Sequence, residues 1–324
     1  MNELTKLAYD FPAEHAYRHR LGEDGRESLA HMLLMPEHGI AGFVYPTMRA
    51  EGNAKGRAYL FGPALPEPVT EEIEAPLVAG MDFSDWRVGP LRMAVREAHK
   101  TVDLNWSGER INLQGRYEAL HPPYAFSMHP DGNPPYYGDD RTEQHGRFTA
   151  DLTVDGKQVQ HEGFLIRDHS WGPRVWGLNQ HHKWIHAVTP SCSVHLFEMQ
   201  SFGQVHQHGY VYRDGTLAHV RSVRYDVHFD ASMLQQEIRA EIVDDEARRV
   251  LVESTRFAGI QLDAWDPNVY LNEAALEVSI AGETGTGWAE FCWNRNYFDF
   301  AHPYVSKYGP QRSNSGAGDD SLAE

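Results

Sequence analysis

Short alternating runs that end in tight-turn residues are the feature that most constrains this fold. Asp155-Gly156 and Asp214-Gly215 each separate two segments in which apolar and polar side chains alternate. An Asp-Gly pair favours the two-residue turn of a β-hairpin, because both residues tolerate positive φ angles. Similar runs recur over most of the 324 residues, with few helical patterns between them. We therefore predict an all-β chain of antiparallel sandwiches or barrels rather than βαβ units.

A few segments depart from the strand pattern. Two short helices are predicted, at 12–19 and at 28–35, and 287–298 is predicted to be the last strand. The proline-rich stretch 121–140 is predicted to be a structured loop over the mouth of a cavity, because its prolines interrupt any strand.

A Trp-Gly-Pro-Arg interruption near 172–180 predicts a boundary between two β-domains. The N-terminal domain then covers 1–175 and the C-terminal domain covers 176–308. The remaining residues, 309–324, are rich in Gly and Ser and are predicted to be disordered.

Charge and composition exclude several classes of partner. The chain has 29 Lys and Arg against 46 Asp and Glu, a net charge of −17, which repels nucleic acid and anionic membranes. No run reaches the roughly 18 apolar residues of a membrane helix, and the N-terminus lacks the pattern of a secretory signal. Cys192 and Cys292 do not require a disulfide. We expect a cytoplasmic protein without a cofactor; a homodimer remains open.

The densest chemical signal is the segment 163–177, GFLIRDHSWGPRVWG. It enters as a strand and presents Asp168, His169, Ser170 and Trp171 before Gly-Pro ends it. The two-residue period of a strand places Asp168 and Ser170 on one face and His169 and Trp171 on the other. A carboxyl, an imidazole and an indole at a strand end are able to surround an apolar ligand and deliver a proton.

The Asp-His-Ser-Trp-Gly box resembles that of the carotenoid 1,2-hydratases and the related AttH-like and hydroxyneurosporene-synthase proteins. The segment 27–49 is similar to the opening of bacterial relatives of that group. The resemblance implies two lipocalin-like β-barrel domains and a site in or between them. It also implies hydration, dehydration, isomerisation or cyclisation of a hydrophobic, often isoprenoid, substrate. An acidic residue on a later strand is implied as well, and Glu198 matches it best, although Leu196 stands where a Tyr is expected.

The chemistry of adding water to an unactivated alkene explains why these residue types matter. Carbon must be protonated first, so the acid has to remain protonated at neutral pH, as a carboxyl in an apolar pocket does. The resulting cation is stabilised by aromatic faces. We predict Asp168 as the acid, His169 as a proton shuttle, and Trp171 as the cation stabiliser, with Glu198 as a fourth catalytic residue. Substrate contacts are predicted mainly from aromatic side chains, namely Trp176, Tyr124, Phe126, Tyr136 and Trp184, together with Glu290.

Each of these interpretations has an alternative. Asp168 is equally able to cap a turn, with Trp171 as a plug at a domain junction. Glu290 becomes a second acid if its face points inward, and a surface carboxylate, the favoured option, if it points outward. His206 and His208 share a strand face, but no clear third and fourth ligand accompanies them, so we predict no metal.

Two functions follow from the sequence. The first is a lyase, namely a hydro-lyase, or an isomerase acting on a terpenoid, steroid or polyene-like molecule. The second is a non-catalytic lipocalin-like carrier of a lipophilic ligand. An enzyme requires an ionisable group buried beside a cavity with a shifted pKa, whereas a carrier requires only apolar walls.

Overall fold

The computed structural model describes residues 11–50, 52–309 and 313–314, and most of the predicted disordered tail, 309–324, falls outside these residues. Strands dominate the described part, with a single α-helix and four 3₁₀ helices. No helix in these residues is long and apolar enough to cross a membrane. The prediction of an all-β chain with few short helices is confirmed.

The strands are Arg26–Met35 (β1), Ile40–Arg49 (β2), Asn53–Phe61 (β3), Val69–Pro76 (β4), Trp86–Val88 (β5), Leu91–Glu97 (β6), Thr101–Ser107 (β7), Ile111–Ala119 (β8), Tyr124–Ala125 (β9), Asp140–Val154 (β10), Lys157–Gly172 (β11), His181–Val188 (β12), Cys192–Ser201 (β13), Gln204–Arg213 (β14), Thr216–Phe229 (β15), Gln235–Asp244 (β16), Arg249–Asp266 (β17), Val269–Ile280 (β18), Glu283–Asn294 (β19) and Ser313–Asn314 (β20). The helices are the α-helix Arg295–Tyr308 (α1) and the 3₁₀ helices Ala13–Ala16, Pro36–His38, Phe126–Met128 and Trp176–Leu178.

The strands form two antiparallel sheets, the first from β1–β11 and the second from β12–β20. The first has 11 strands, in the order β4-β3-β2-β1-β11-β10-β8-β7-β6-β5 with β9 beside β10. The second has nine, in the order β14-β13-β12-β19-β18-β17-β16-β15-β20, and a further β14–β15 pairing closes it into a barrel. Asp155-Gly156 and Asp214-Gly215 form the predicted hairpin turns, and all four of these residues have positive φ angles. The sheets change over between β11 and β12, within the interruption seen in the sequence.

The buried apolar side chains form three layers. One lies inside the first sheet, one inside the barrel, and the third between the two sheets. The third layer contains Phe43 and Ile166 from the first sheet and Phe197 and Trp288 from the second. Strand β1 and the second half of β11, residues 165–172, are therefore buried on both faces, with successive side chains entering different layers.

Burial on both faces explains why the helix predicted at 28–35 is wrong. Leu29 and Leu33 pack inside the first sheet, whereas Met32 and Leu34 pack between the sheets. A strand with two apolar faces shows no alternation of polarity, so its pattern is ambiguous in the sequence.

The other predicted helix, at 12–19, is shorter than expected, because only a 3₁₀ turn forms there, over Ala13–Ala16.

The last predicted strand, 287–298, is too long. β19 ends at Asn294, whose side chain accepts hydrogen bonds from the backbone N–H groups of Asn296 and Tyr297. An Asn in this position satisfies N–H groups that have no partner within a helix, so it starts α1.

The proline-rich stretch 121–140 is ordered, but it lies between the sheets instead of over a cavity mouth. Tyr124, Phe126 and Tyr137 are fully buried in the layer between the sheets. The Tyr124 hydroxyl lies 3.1 Å from His219 Nδ1 of the barrel. The aromatic side chains of this stretch therefore pack between the two sheets.

The Asp-Gly turns provide a test of the hairpin geometry. Gly156 has φ 79°, and a Cβ atom there would meet nothing within 4 Å. Gly156→Ala should therefore lower the free energy of unfolding by about 1 kcal/mol, through backbone strain alone. Gly22 has equally open surroundings without a positive φ, so Gly22→Ala should change stability by less than about 0.5 kcal/mol. Urea unfolding measures both, and equal effects would contradict the assigned turn.

Candidate active site

A narrow cavity of about 40 Å³ lies between the two sheets. It adjoins a wider surface cleft of about 580 Å³ with which it shares Arg26, Tyr45, Trp176 and Trp265. The cavity is rich in charged and aromatic groups. Its lining consists of Arg26, Ala30, Met32, Phe43, Tyr45, Arg141, Asp168, Ser170, Arg174, Trp176, Trp184, Leu262, Trp265, Glu273 and Glu290.

The barrel contributes a pair of carboxyl groups. Glu273 of β18 and Glu290 of β19 are direct cross-strand partners, so their side chains share one face at short distance. Two negative charges in this arrangement repel each other strongly, and the pair is stabilised when it holds one proton. The geometry of the neighbouring residues decides which carboxyl keeps that proton.

The surroundings of Glu273 favour its protonated form. Burial, and then the neighbouring Glu290 carboxylate, raise the pKa of Glu273 well above its ordinary value. Its Oε2 accepts a hydrogen bond of 2.6 Å from Trp288 Nε1. Burial also pushes the pKa of Glu290 upward, but the hydrogen bond and charge of His182, together with the Glu273 hydrogen bond and the Arg141 charge, lower it. His182 Nε2 lies 2.7 Å from Glu290 Oε1. The cavity wall thus carries two adjacent carboxyl groups whose pKa values are shifted in opposite directions.

The first sheet contributes a second cross-strand carboxyl pair, Glu143 of β10 and Asp168 of β11. Here the repulsion is relieved by a cation, because the Arg141 guanidinium contacts both carboxyl groups. Burial raises the pKa of Asp168 to about 6 and that of Glu143 to about 7, against the opposing effect of Arg141. Glu143 also accepts a 2.8 Å hydrogen bond from Trp184 Nε1 of the barrel, so this cluster connects the two sheets.

Two groups of side chains in the described residues have the types and spacing of metal ligands. They are Glu143 with His186 and His195, and Glu27 with His19 and His169. In the first group His186 Nε2 lies 3.4 Å from Glu143 Oε2, but the Arg141 guanidinium already contacts the other oxygen of the same carboxyl group. In the second group Glu27 Oε1 lies 2.7 Å from His19 Nδ1 and 2.8 Å from His169 Nε2, so its ligand atoms already satisfy each other.

The Asp-His-Ser-Trp segment is divided by the pleat of β11. Asp168 and Ser170 line the cavity. His169 and Trp171 point to the opposite face, where His169 contacts Glu27 and the Trp171 ring stacks on His19 at a centroid distance of 3.7 Å. The structure therefore separates His169 and Trp171 from the group predicted to act as the acid.

The other residues predicted from the sequence also divide into two sets. Trp176, Trp184 and Glu290 line the cavity, and Glu290 points inward, contrary to the favoured option of a surface carboxylate. Glu198 forms an ion pair with Lys183 and does not line the cavity. The aromatic residues of the proline-rich stretch do not line it either: Tyr124 and Phe126 are core residues, and the Tyr136 hydroxyl contacts Ser201.

Sequence reasoning missed Arg141, Glu143, His182 and Glu273 as members of the site. Each is a polar residue within an otherwise buried stretch of strand. Glu273 stands among the apolar residues of β18, and a carboxyl group in such a run is the signal that would have identified it, because buried carboxyls occur rarely without a partner.

A family model described as a domain of unknown function, DUF7064, matches residues 12–295. The match spans most of the chain and includes strands β1–β19 and every residue of the cavity. The chain belongs to the DUF7064 family. No curated protein matches its sequence.

This DUF7064 protein shares its fold with several solved structures. CghA with Sch210972 superposes with a TM-score of 0.62 at 14% identity, over 84% of this chain and 89% of the other. Kievitone hydratase from Nectria haematococca gives a TM-score of 0.58 at 8% identity, over 84% and 89%. An AttH-type protein from Nitrosomonas europaea gives 0.58 at 13% identity, over 82% and 91%. At such identities the likeness establishes the fold alone.

Arg141 should be the cation on which the packing of the DUF7064 fold depends most. Arg141→Met leaves Glu143 and Asp168 buried without their counter-charge, so we expect the free energy of unfolding to fall by about 3–5 kcal/mol. The matched control is Arg87→Met, which removes an exposed ion pair with Asp85 and should cost at most about 1 kcal/mol. Urea unfolding at pH 7.5 distinguishes the two, and similar losses would contradict the role of Arg141.

Proposed function

We propose that this DUF7064 protein is an acid–base enzyme that hydrates, dehydrates, isomerises or cyclises a hydrophobic small molecule. The observation that carries the proposal is the pair of cross-strand carboxyl groups, Glu273 and Glu290, in the wall of a cavity. Burial and the neighbouring carboxylate raise the pKa of Glu273 and so favour its neutral acid form. The acid named from the sequence, Asp168, is less suited to this role, because Arg141 favours its ionised form.

The first chemical step is the transfer of the Glu273 proton to carbon. The π electron pair of the substrate alkene forms the new C–H bond, which leaves a carbocation on the neighbouring carbon and a carboxylate on Glu273. The indole rings of Trp176, Trp184 and Trp265 line the same cavity and stabilise such a cation through their π faces. These three rings take over the role that Trp171 was predicted to have.

The cation then collapses in one of three ways. Addition of water, whose proton passes to the Glu290 carboxylate and from there to Glu273, gives an alcohol and restores the enzyme. Loss of a different C–H proton to the Glu273 carboxylate gives an isomerised alkene. Attack by a second double bond of the same molecule gives a ring and a new cation, which then loses a C–H proton to the Glu273 carboxylate. Dehydration is the reverse of the first route: the Glu273 proton passes to Glu290, which protonates the leaving hydroxyl group, and the Glu273 carboxylate then takes a C–H proton.

Terpenoid, steroid and polyene-like molecules are the substrate class that we favour. The cleft offers aromatic surfaces of Tyr45, Trp176 and Trp265, and relatives of the same fold include a protein named as a hydratase of kievitone. The resemblance of the Asp-His-Ser-Trp-Gly box to the carotenoid hydratases supports the same class.

A lipophilic carrier fits the cavity less well than an enzyme does. A site that encloses a drug-sized ligand has a volume of roughly 300–1,000 Å³ and mostly apolar walls. The cavity between the sheets measures about 40 Å³ and is lined by three arginines and three carboxyl groups. Such a lining favours a reacting end for part of a molecule whose body occupies the wider cleft.

The protonation of Glu273 can be tested without knowing the substrate. Infrared spectra at pH 7.5 should contain the C=O stretch of a protonated carboxylic acid, and Glu273→Gln should remove this band. Glu198→Gln is the matched control, because Glu198 is ion-paired with Lys183 and should contribute no such band. A spectrum unchanged by Glu273→Gln would contradict the assigned acid.

Turnover can be detected by isotope incorporation. We expect the protein, incubated in D₂O with a panel of terpenoid, steroid and polyene alkenes and alcohols, to introduce deuterium into carbon–hydrogen positions of one class, as read by mass spectrometry. Loss of a general acid costs roughly 100- to 10,000-fold in rate, so Glu273→Gln should fall by that much while Glu198→Gln keeps its rate. The rate should also fall as pH rises through the raised pKa of Glu273. A fully active Glu273→Gln variant would refute the mechanism.

A further inference from the structure

We propose that Arg26 and Arg174 form an anion subsite between the cavity and the cleft, and that the substrate carries a carboxylate which binds there. The inference rests on the proposed function for the rest of the substrate, and it adds a chemical feature that hydrophobic contacts alone do not require. The substrate class becomes a terpenoid, steroid or polyene-like carboxylic acid.

The first argument comes from the pairing of the three arginines in the cavity. Arg141 contacts two carboxyl groups. In the described part of the chain, no carboxylate oxygen lies within 4.0 Å of the guanidinium nitrogens of Arg26 or Arg174. The buried Nε atoms of both residues have no hydrogen-bond partner. Two cations thus line one cavity without a carboxylate in contact, in a protein with a net charge of −17.

The second argument comes from the orientation of Arg174. Its guanidinium lies 3.7 Å from the centroid of the Tyr137 ring and 5.2 Å from that of Trp176. Stacking uses the faces of the guanidinium and leaves the N–H groups at its edge for a ligand. Burial lowers the pKa of Arg174 to about 10, and the charge of Arg26 contributes in the same direction. A bound anion would relieve both the desolvation and the repulsion.

Arg26 is positioned by the segment that stood out in the sequence. Its Nη1 donates a hydrogen bond to Ser28 Oγ, and its Nη2 lies 3.4 Å from Ser170 Oγ. The two serine hydroxyls are 3.1 Å apart, and they are cross-strand partners of β1 and β11. The serine pair therefore holds the guanidinium at the cavity wall without a carboxylate in direct contact, although the charge of Asp168 lies in the same cavity. This gives Ser170 of the Asp-His-Ser-Trp segment a positioning role.

The surroundings indicate what the anion is attached to. Arg26 lines both the cavity and the cleft, together with Tyr45, Trp176 and Trp265. An anion bound here would have aromatic surface beside it and the Glu273 carboxylic acid in the same cavity. A carboxylate attached to an apolar, unsaturated body matches this combination, since a planar carboxylate accepts paired hydrogen bonds from a guanidinium edge.

Binding of two matched probes tests the subsite. We would titrate the full chain with 2-naphthoate and with 2-naphthamide, which differ in charge but not in ring size, and follow binding by calorimetry at low salt. A charged hydrogen bond of this kind contributes about 1.5–3 kcal/mol, so naphthoate should bind at least about tenfold more tightly than naphthamide. Arg174→Gln and Arg26→Gln should each remove most of that difference and leave naphthamide binding unchanged.

Control variants separate this proposal from its alternatives. Arg87→Gln changes an exposed arginine that lines neither the cavity nor the cleft and should leave both affinities within about twofold. Arg174→Lys, which keeps the charge but loses the stacked fork, should retain part of the preference and shows that a loss in Arg174→Gln does not come from unfolding. Equal binding of the two probes, no binding of either, or an unchanged preference in both glutamine variants would overturn the subsite.

The same measurement distinguishes failure of the subsite from failure of the proposed enzyme. Glu273→Gln should abolish deuterium incorporation but keep the preference for naphthoate, because Glu273 does not contact the anion in this proposal. A protein that prefers naphthoate and shows no turnover would retain the anion subsite and lose the enzymatic function. A protein with turnover and no preference for naphthoate would retain the enzymatic function and lose the anion subsite.

Discussion

Like-charged carboxyl groups that stand opposite each other on neighbouring strands, in a layer buried between two sheets, impose the main constraint on this structure. Water is unavailable there to screen their repulsion, so each pair has to be neutralised locally. The Arg141 guanidinium contacts both Glu143 and Asp168 and offsets one of their two charges. In the other pair, burial and the Glu290 carboxylate favour a proton on Glu273. Arg141 and Asp168 line the same cavity as Glu273 and Glu290. The charge of the first pair is offset by a guanidinium and that of the second by a favoured proton.

The two pairs differ in what balances their charge. Removing Arg141 would leave two buried carboxyl groups without a cation, and Trp184 bonds Glu143 across the sheets. In the proposed function the Glu273 proton is the one transferred, and Trp288 holds Glu273 while His182 holds Glu290. A carboxyl whose pKa is raised in the folded state keeps a proton that the unfolded chain releases. Stability from Glu273, Asp168 and Glu143 is therefore present at low pH and lost as pH rises from their ordinary values, 3.8 to 4.5, towards neutrality.

Strands were predictable from the sequence where apolar and polar side chains alternate, and the prediction of secondary structure was wrong where this alternation is lost. The Asp-Gly turns at 155–156 and 214–215 form as predicted, because turn chemistry is local. The segment 28–35 was assigned to a helix because both faces of β1 are apolar, and α1 was missed because a short cap at Asn294 interrupts a continuous pattern of large side chains. Of the predicted site residues, Asp168, Trp176, Trp184 and Glu290 line the cavity, while the pleat of β11 turns His169 and Trp171 away from it.

By itself the sequence determined the all-β class, the hairpin turns and the presence of a polar segment at 168–171 within an apolar strand, since these depend on period-two patterning and local backbone preference. Only the tertiary structure decided which carboxyl groups meet. Glu273 and Glu290 are 17 residues apart, Glu143 and Asp168 are 25 apart, and their pairing depends on strand register. The packing of one sheet on the other then brings the two pairs to one cavity. A proton's affinity for a carboxyl depends on such neighbours, and so the reactive group is set by register and packing rather than by any local motif.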